Sequence, residues 1–215
     1  MKVLLLHAMP LDERMWKSQL EALAGEDVEA PNLYDLGGSS VDEWAEALLE
    51  STDDDELAVI GASMGGYVAL AMARKAPERV RGLLLVGSRV GADTPERRAV
   101  RDEQIRTLEE EGIEAWAPSA PAPPPPERTV DELARAVQAL RDRADSTDLA
   151  RSFEGPLWIA VGDGDPFLPV EEAREIVEAA PNGRLEIFED TGHFPSRDRP
   201  ARFNELLREF LQAAA

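Results

Sequence analysis

The sequence predicts an α/β fold: a doubly wound, mostly parallel sheet with a short helical cap. Three observations carry this expectation. Short apolar runs alternate with amphipathic segments of helical spacing, the pattern of parallel strands joined by helical crossovers. At Leu57–Tyr67 the chain reads L-A-V-I-G-A-S-M-G-G-Y, an apolar run that enters G-x-S-x-G and continues into an Ala-rich helical segment. The alternation breaks once, over Arg89–Glu154, where charged helix-prone stretches flank a proline-rich one. At 215 residues there is room for one sizeable domain of this class.

The elements follow in order. Val3–Leu6 is an apolar run ended by His7, too short for the core of a leader peptide, and reads as the first buried strand. Asp12–Ala24 carries Met15, Trp16, Leu20 and Leu23 near helical spacing. Val28–Ala30 is a short strand, and Val41–Glu50 a helix with Trp44, Leu48 and Leu49 on one face. The strand Leu57–Ile60 leads to the helix Tyr67–Ala76, and Leu83–Val86 is a strand bounded by Gly82 and Gly87. Within the break, Thr94–Glu111 is a helix with Pro95 in its first turn. Ala117–Pro126 reads A-P-S-A-P-A-P-P-P-P, which excludes helix and inner strand and suits a stiff strap. Thr129–Arg143 is a second amphipathic helix. Leu157–Val161, Glu171–Ala180, Leu185–Phe188 and Ala201–Gln212 then resume the strand–helix alternation. The expected organisation is a core of residues 1–88 and 155–215, with 89–154 inserted as a small cap over the carboxyl edge of the sheet, where ligands bind in such folds.

Composition narrows the function classes. A net charge of −20 argues against nucleic acid and anionic membrane as partners, since both need a basic face. Only three of the 23 basic residues are lysines (Lys2, Lys17, Lys75), a balance that a high-salt habitat or an Arg-rich genome bias would each produce. With no cysteine there is no disulfide framework, thiolate metal site or cysteine nucleophile, and the cytoplasm is the default location. Two separated histidines make a poor metal set, so no metal or cofactor is expected.

Strand, tight turn and helix around Ser63 form the setting of a nucleophile elbow, in which a strained backbone thrusts the hydroxyl above the sheet. Strain of about 1–3 kcal/mol persists where the surroundings enforce it. Gly61 and Gly65 stand where larger side chains would collide with neighbouring backbone. The imidazole base must be His7 or His193. His193 lies just past the last strand, in the chain order Ser…Asp…His of this elbow class. Between them, Gly162-Asp163-Gly164-Asp165-Pro166 offers two carboxylates; Asp165 is the better placed, deeper in the loop and fixed by Pro166, with Asp163 as the alternative. An oxyanion hole needs two main-chain N–H donors. One is Met64, directly after the serine; the other lies in His7-Ala8-Met9-Pro10, where Pro10 has no N–H, leaving Ala8 or Met9, of which Met9 is preferred.

These motifs together resemble the α/β-hydrolases of the small esterase, enol-lactonase and cofactor-free haloperoxidase-like group. The residues that carry the resemblance are His7–Asp12 with Arg14-Met15-Trp16, Gly61–Gly66, Gly162–Pro166 and Gly192-His193. It covers nearly the whole chain except the cap. It implies His193 as base, Asp165 as acid and Met9 as second oxyanion donor. Two features depart from the family pattern: Ala8 stands where His-Gly is usual, and Asp35–Ser40 is shorter than the usual D-x-x-G-x-G-x-S loop. Members of this fold that open epoxides or remove halides use an Asp nucleophile, so Ser63 speaks against both.

The expected activity is a serine hydrolase, carboxylesterase-like, cleaving a small to medium ester, lactone or thioester through an acyl-enzyme on Ser63. An enol-lactonase or perhydrolase-type member is the alternative within the fold, and a ligand-binding homologue with little turnover the alternative from another class. Met9, Trp16, Met64, Phe167, Leu168 and Phe194 are the apolar candidates for the acyl pocket, and Arg89 could pair with a substrate carboxylate. The partner expected is a small molecule; the sequence does not give an oligomeric state.

Overall fold

A computed structural model of the chain describes residues 1–52 and 56–215. Six strands, β1 (Lys2–Leu6), β2 (Val28–Glu29), β3 (Leu57–Ala62), β4 (Val80–Val86), β5 (Leu157–Gly162) and β6 (Gly183–Phe188), form one sheet in the order β2-β1-β3-β4-β5-β6. Every pairing is parallel. The strands are joined through α1 (Lys17–Ala22), α2 (Val41–Ser51), α3 (Met64–Lys75), α4 (Pro95–Glu111), α5 (Ile113–Trp116), α6 (Val130–Asp142), α7 (Thr147–Ser152) and α8 (Val170–Ala179), with α9 (Pro195–Asp198) and α10 (Pro200–Ala214) closing the chain.

The two-residue period of a strand divides the core into two layers. Leu4, Leu6, Leu57, Val59, Leu83, Leu85, Ile159 and Val161 face one way, onto the apolar sides of α2, α3 and α8. Val3, Leu5, Ala58, Ile60, Leu84, Val86, Trp158 and Ala160 face the other way, onto Trp16 and the Phe203, Leu207 and Phe210 stripe of α10. Helices on both faces explain why the inner strands read as unbroken apolar runs rather than alternating ones. At the β6 edge, Arg184 lies over the Trp158 ring at 4.3 Å and pairs with Glu209 at 2.8 Å, so charged side chains cover the last strand.

The larger departures from the expected boundaries have local reasons. The β4 strand starts at Val80, and its pairing with β3 skips Arg81, an exposed charged residue that hides the strand's beginning. The α3 helix begins at Met64, because the turn at Ser63 enters it directly. The expected helix over Asp12–Ala24 is a 3-10 turn, Glu13–Trp16, followed by the short α1.

The segment between β4 and β5 contains four helices where two were expected. Thr94 caps α4, with Pro95 in its first turn, and a reciprocal capping box of Thr129 and Glu132 starts α6. The helices α4 and α6 are joined by the Arg141–Asp102 ion pair at 2.5 Å. The additional α5 and α7 are too short to show a period in the sequence. The proline-rich stretch begins with a 3-10 turn at Ala117–Ser119 and then runs without regular structure. At its far end Glu127 pairs with Arg14, and Arg128 lies over the Tyr34 ring at 4.3 Å. Among the described residues, no helix is long and apolar enough to cross a membrane.

Phe203 is fully buried and packs on both Trp16 and Phe188, with ring centroids 6.1 and 6.2 Å away. Phe203→Ala is expected to destabilise the fold by about 3–5 kcal/mol, read from urea denaturation midpoints.

Candidate active site

Because all strands run the same way, the loops after β1, β3, β4, β5 and β6 open on one edge of the sheet. Those loops carry His7 to Met9, Ser63, Gly87, Asp165 and His193 in turn. Ser63 has φ 48° and ψ −107°, a backbone conformation that a residue with a side chain rarely adopts. Its amide donates to the Val86 carbonyl at 2.8 Å, and its carbonyl accepts from the Ser88 hydroxyl at 3.1 Å. The turn is also packed shut: a Cβ on Gly65 would stand 2.2 Å from the Leu6 carbonyl oxygen, and one on Gly61 would stand 2.4 Å from that of Gly65.

His193 and Asp165 are joined directly. The Nδ1 of His193 lies 2.8 Å from Asp165 Oδ2 and 2.9 Å from Oδ1, with both side chains buried. Asp165 Oδ1 also accepts from the amides of Phe167 at 2.8 Å and Leu168 at 3.2 Å, which hold the carboxylate in place. Asp163, the alternative in the sequence, is exposed and accepts from the Thr191 amide at 3.2 Å, fixing the loop that precedes His193. The imidazole is flanked by Phe167 and Phe194, with ring centroids at 4.7 and 4.8 Å.

The other histidine is differently employed. His7 is fully buried, stacks on Tyr34 and accepts at Nε2 from the Leu33 amide at 2.8 Å. Its Nδ1 lies 3.2 Å from the Ala8 carbonyl, which fixes the neutral tautomer with the proton on Nδ1. Burial pushes its pKa down to about 4. The adjacent Ala8 amide donates to Met15 Sδ at 3.2 Å, which leaves Met9 as the uncommitted donor of that turn. Among the described residues, neither the Met9 nor the Met64 amide donates within the chain.

Ser63, His193 and Met9 share the wall of a cavity of about 300 Å³. Phe167 lines it, as expected from the sequence. Trp16, Leu168 and Phe194 do not. Trp16 turns beneath the sheet toward α10, Leu168 is fully buried in the opposite layer, and Phe194 packs behind the imidazole. Met64 is also buried in the core and does not line the cavity. Proximity to the sheet edge is legible in sequence; which way a side chain points there is not. Arg89 does line the cavity, but its guanidinium is engaged by Glu172 and by the Phe167 carbonyl at 3.0 Å.

Two features of the site escaped sequence reasoning. Gly87 was visible only as a strand boundary, yet it has φ +62°, and a Cβ there would stand 2.8 Å from the His193 ring. The other is a group of side chains from the segment after β4, Asp93, Arg97, Arg101 and Gln104, which line the cavity together with Tyr67 and Leu140. Their sequence signal, two arginines four apart on a charged helix, is what a solvated helix also shows.

An open parallel sheet with a strained serine after one strand and a buried His–Asp pair after two later ones defines the class of α/β-hydrolase-fold proteins. The model of the Alpha/beta hydrolase family matches residues 3–206, and the chain belongs to that family. Among curated relatives, a 2-hydroxymuconate semialdehyde hydrolase of Pseudomonas putida is 28% identical over 204 residues, spanning 80% of this chain and 68% of its own. A pimeloyl-[acyl-carrier protein] methyl ester esterase of Aromatoleum aromaticum is 26% identical over 98% of both chains. Among solved structures, a thermophilic esterase from Thermogutta terrifontis superposes with TM-score 0.89 at 28% identity, over 100% of this chain and 90% of its own. The enol-lactonase of Burkholderia xenovorans shares the fold with TM-score 0.84 at 19% identity, over 98% and 91%. The chain is an enzyme of the hydrolase class.

Two outcomes follow from this geometry. Unfolded His7 titrates near 6.5 and the buried ring only near 4, so the unfolded chain binds the extra proton between those values. Stability from the neutral ring is complete above pH 6.5 and is lost as pH falls toward 4, by about 3 kcal/mol. Urea titrations across that range are expected to show a shallower loss for His7→Gln than for the native chain. In Gly87→Ala the new methyl displaces the imidazole, and ester turnover is expected to fall at least about 10²-fold, as a misplacement near 1 Å can cause. Circular dichroism should show the fold retained.

Proposed function

We propose that this chain is a serine hydrolase that cleaves a carboxylic ester or lactone of a small to medium substrate through an acyl-enzyme on Ser63. The observation that carries this reading is a His193 imidazole, bonded to buried Asp165, that shares one cavity with a serine in a strained strand-to-helix turn. The methyl ester esterase and the thermophilic esterase among the similar proteins support it as to class.

In this mechanism Ser63 Oγ attacks the substrate carbonyl carbon while His193 Nε2 takes the hydroxyl proton. Asp165 holds the Nδ1–H tautomer and stabilises the imidazolium that forms. The tetrahedral oxyanion is received by the Met64 and Met9 amides. Collapse expels the alkoxide, which takes the proton from His193, and leaves the acyl group on Ser63. Water then adds by the same route: His193 removes its proton, the acyl–oxygen bond breaks, and Ser63 regains a proton as the acid is released. Residues 89–154 act as a cap that closes this cavity. The donor from the β1 turn is Met9, since the Ala8 amide is already spent on Met15. No cofactor is needed for this chemistry. A cytoplasmic location fits the cysteine-free composition.

Ser63→Ala and His193→Ala are each expected to lower hydrolysis of a short 4-nitrophenyl ester by on the order of 10⁴-fold or more, with the fold intact. A fluorophosphonate probe should label the native chain and not Ser63→Ala. A folded native protein that the probe leaves unlabelled, and that binds esters without turning them over, would replace this reading with that of a ligand-binding homologue.

A further inference from the structure

We propose that the substrate carries a carboxylate at the end of its acyl chain, and that Arg97, backed by Arg101, recognises it. This rests on the reading of Ser63 given above. The α4 helix places Arg97, Val100, Arg101 and Gln104 at spacings of three and four, on one face. All four line the cavity that contains Ser63 and His193.

The charge balance of that wall is positive. Asp93 is buried and contacts two cations, Arg143 at 2.8 Å and Arg101 at 3.3 Å. The Arg143 guanidinium is itself buried, lies 4.1 Å over the Tyr67 ring and donates to the Leu140 and Gly91 carbonyls, so it is fixed in the fold. The Asp145 carboxylate also acts on Arg143, so Asp93 and Asp145 together offset Arg143 and Arg101. Arg89, also on the wall, is neutralised by Glu172. Arg97 is half-buried, and among the described residues its guanidinium has no hydrogen bond or ion-pair partner. Arg97 is thus left as an uncompensated positive charge at the cavity of a chain whose net charge is −20.

A cationic wall in a strongly acidic protein disfavours a cationic ligand and leaves a planar fork of donors open to an anion. Guanidinium matches carboxylate bidentately. Val100 and Phe167, exposed by 58% and 40%, are apolar members of the same lining and suit a hydrocarbon chain between the two polar ends. At about 300 Å³ the cavity is at the small end of ligand pockets, which favours a short acyl group over a fatty one. The protein's overall field opposes this choice, but surface charges are screened beyond about 8 Å at physiological salt. Any preference for an anion must therefore arise from the cavity wall.

Three 4-nitrophenyl esters with the same six-carbon acyl chain test the assignment: the hemiester of adipic acid, the neutral hexanoate and the 6-ammoniohexanoate. The native enzyme is expected to prefer the adipate hemiester to hexanoate by about tenfold or more in kcat/KM, mostly through KM, and to accept the ammonium ester least. Arg97→Gln should lower the adipate-to-hexanoate ratio by about ten- to hundredfold, and Arg97→Lys should restore part of it. A native preference for the hexanoate or the ammonium ester, or an adipate-to-hexanoate ratio that survives in Arg97→Gln, would overturn the assignment while leaving Ser63 as nucleophile. Failure to turn over any of the three, with Ser63 unlabelled by fluorophosphonate, would overturn both readings together.

Discussion

The contact on which the site depends is the approach of Gly65 to the Leu6 carbonyl. It lets the first turn of α3 press against the end of β1, at a distance where even a methyl group would collide. Ser63 is held in its strained conformation by that packing and by the bond from its amide to Val86. The same contact sets Ser63 relative to His7, Ala8 and Met9, which continue from β1. The proposed nucleophile and the proposed oxyanion donor are thus positioned by one backbone-to-backbone approach rather than by flexible side chains. Preorganised main-chain donors of this kind need not reorganise as negative charge develops.

The two histidines divide along physical lines. His193 sits at a cavity wall, with one nitrogen taken up by Asp165 and aromatic rings on either side. His7 is sealed in the core as a neutral ring, where it accepts from Leu33 and braces the turn after β1. A buried imidazole in that position links the loop after β2 to the turn bearing Met9. Its role is to hold geometry, and its lowered pKa is the consequence of burial.

The end of the proline-rich stretch is fixed to the same turn. Arg14 joins Asp12 to Glu127, and Arg128 lies over Tyr34, which in turn stacks on His7. The stretch that begins at the cavity, with Ala120 and Pro121 in its wall, is therefore anchored to the loop behind Met9. Proline limits the conformations available to the chain between these two points. The segment proposed as a cap is held over the site by charge and aromatic contacts rather than by a large apolar interface at that end.

The sequence by itself determined the parallel sheet, the order of its inner elements and the strand ends from which Ser63, Asp165 and His193 project. Those features are local: apolar runs of strand length, helical periodicity, and turn residues that leave few conformations open. Tertiary structure decided what depends on direction and distance. It separated Asp165 from Asp163 through the bond to His193, and turned Trp16, Leu168 and Phe194 away from the cavity. It tied up Arg89 and left Arg97 facing the site. It also gave Gly87 its meaning, since only the approach of the imidazole makes a side chain there intolerable. Spacing along the chain specifies which loop a residue occupies; which way that residue points is set by contacts with segments distant in sequence, and a single sequence does not carry those distances.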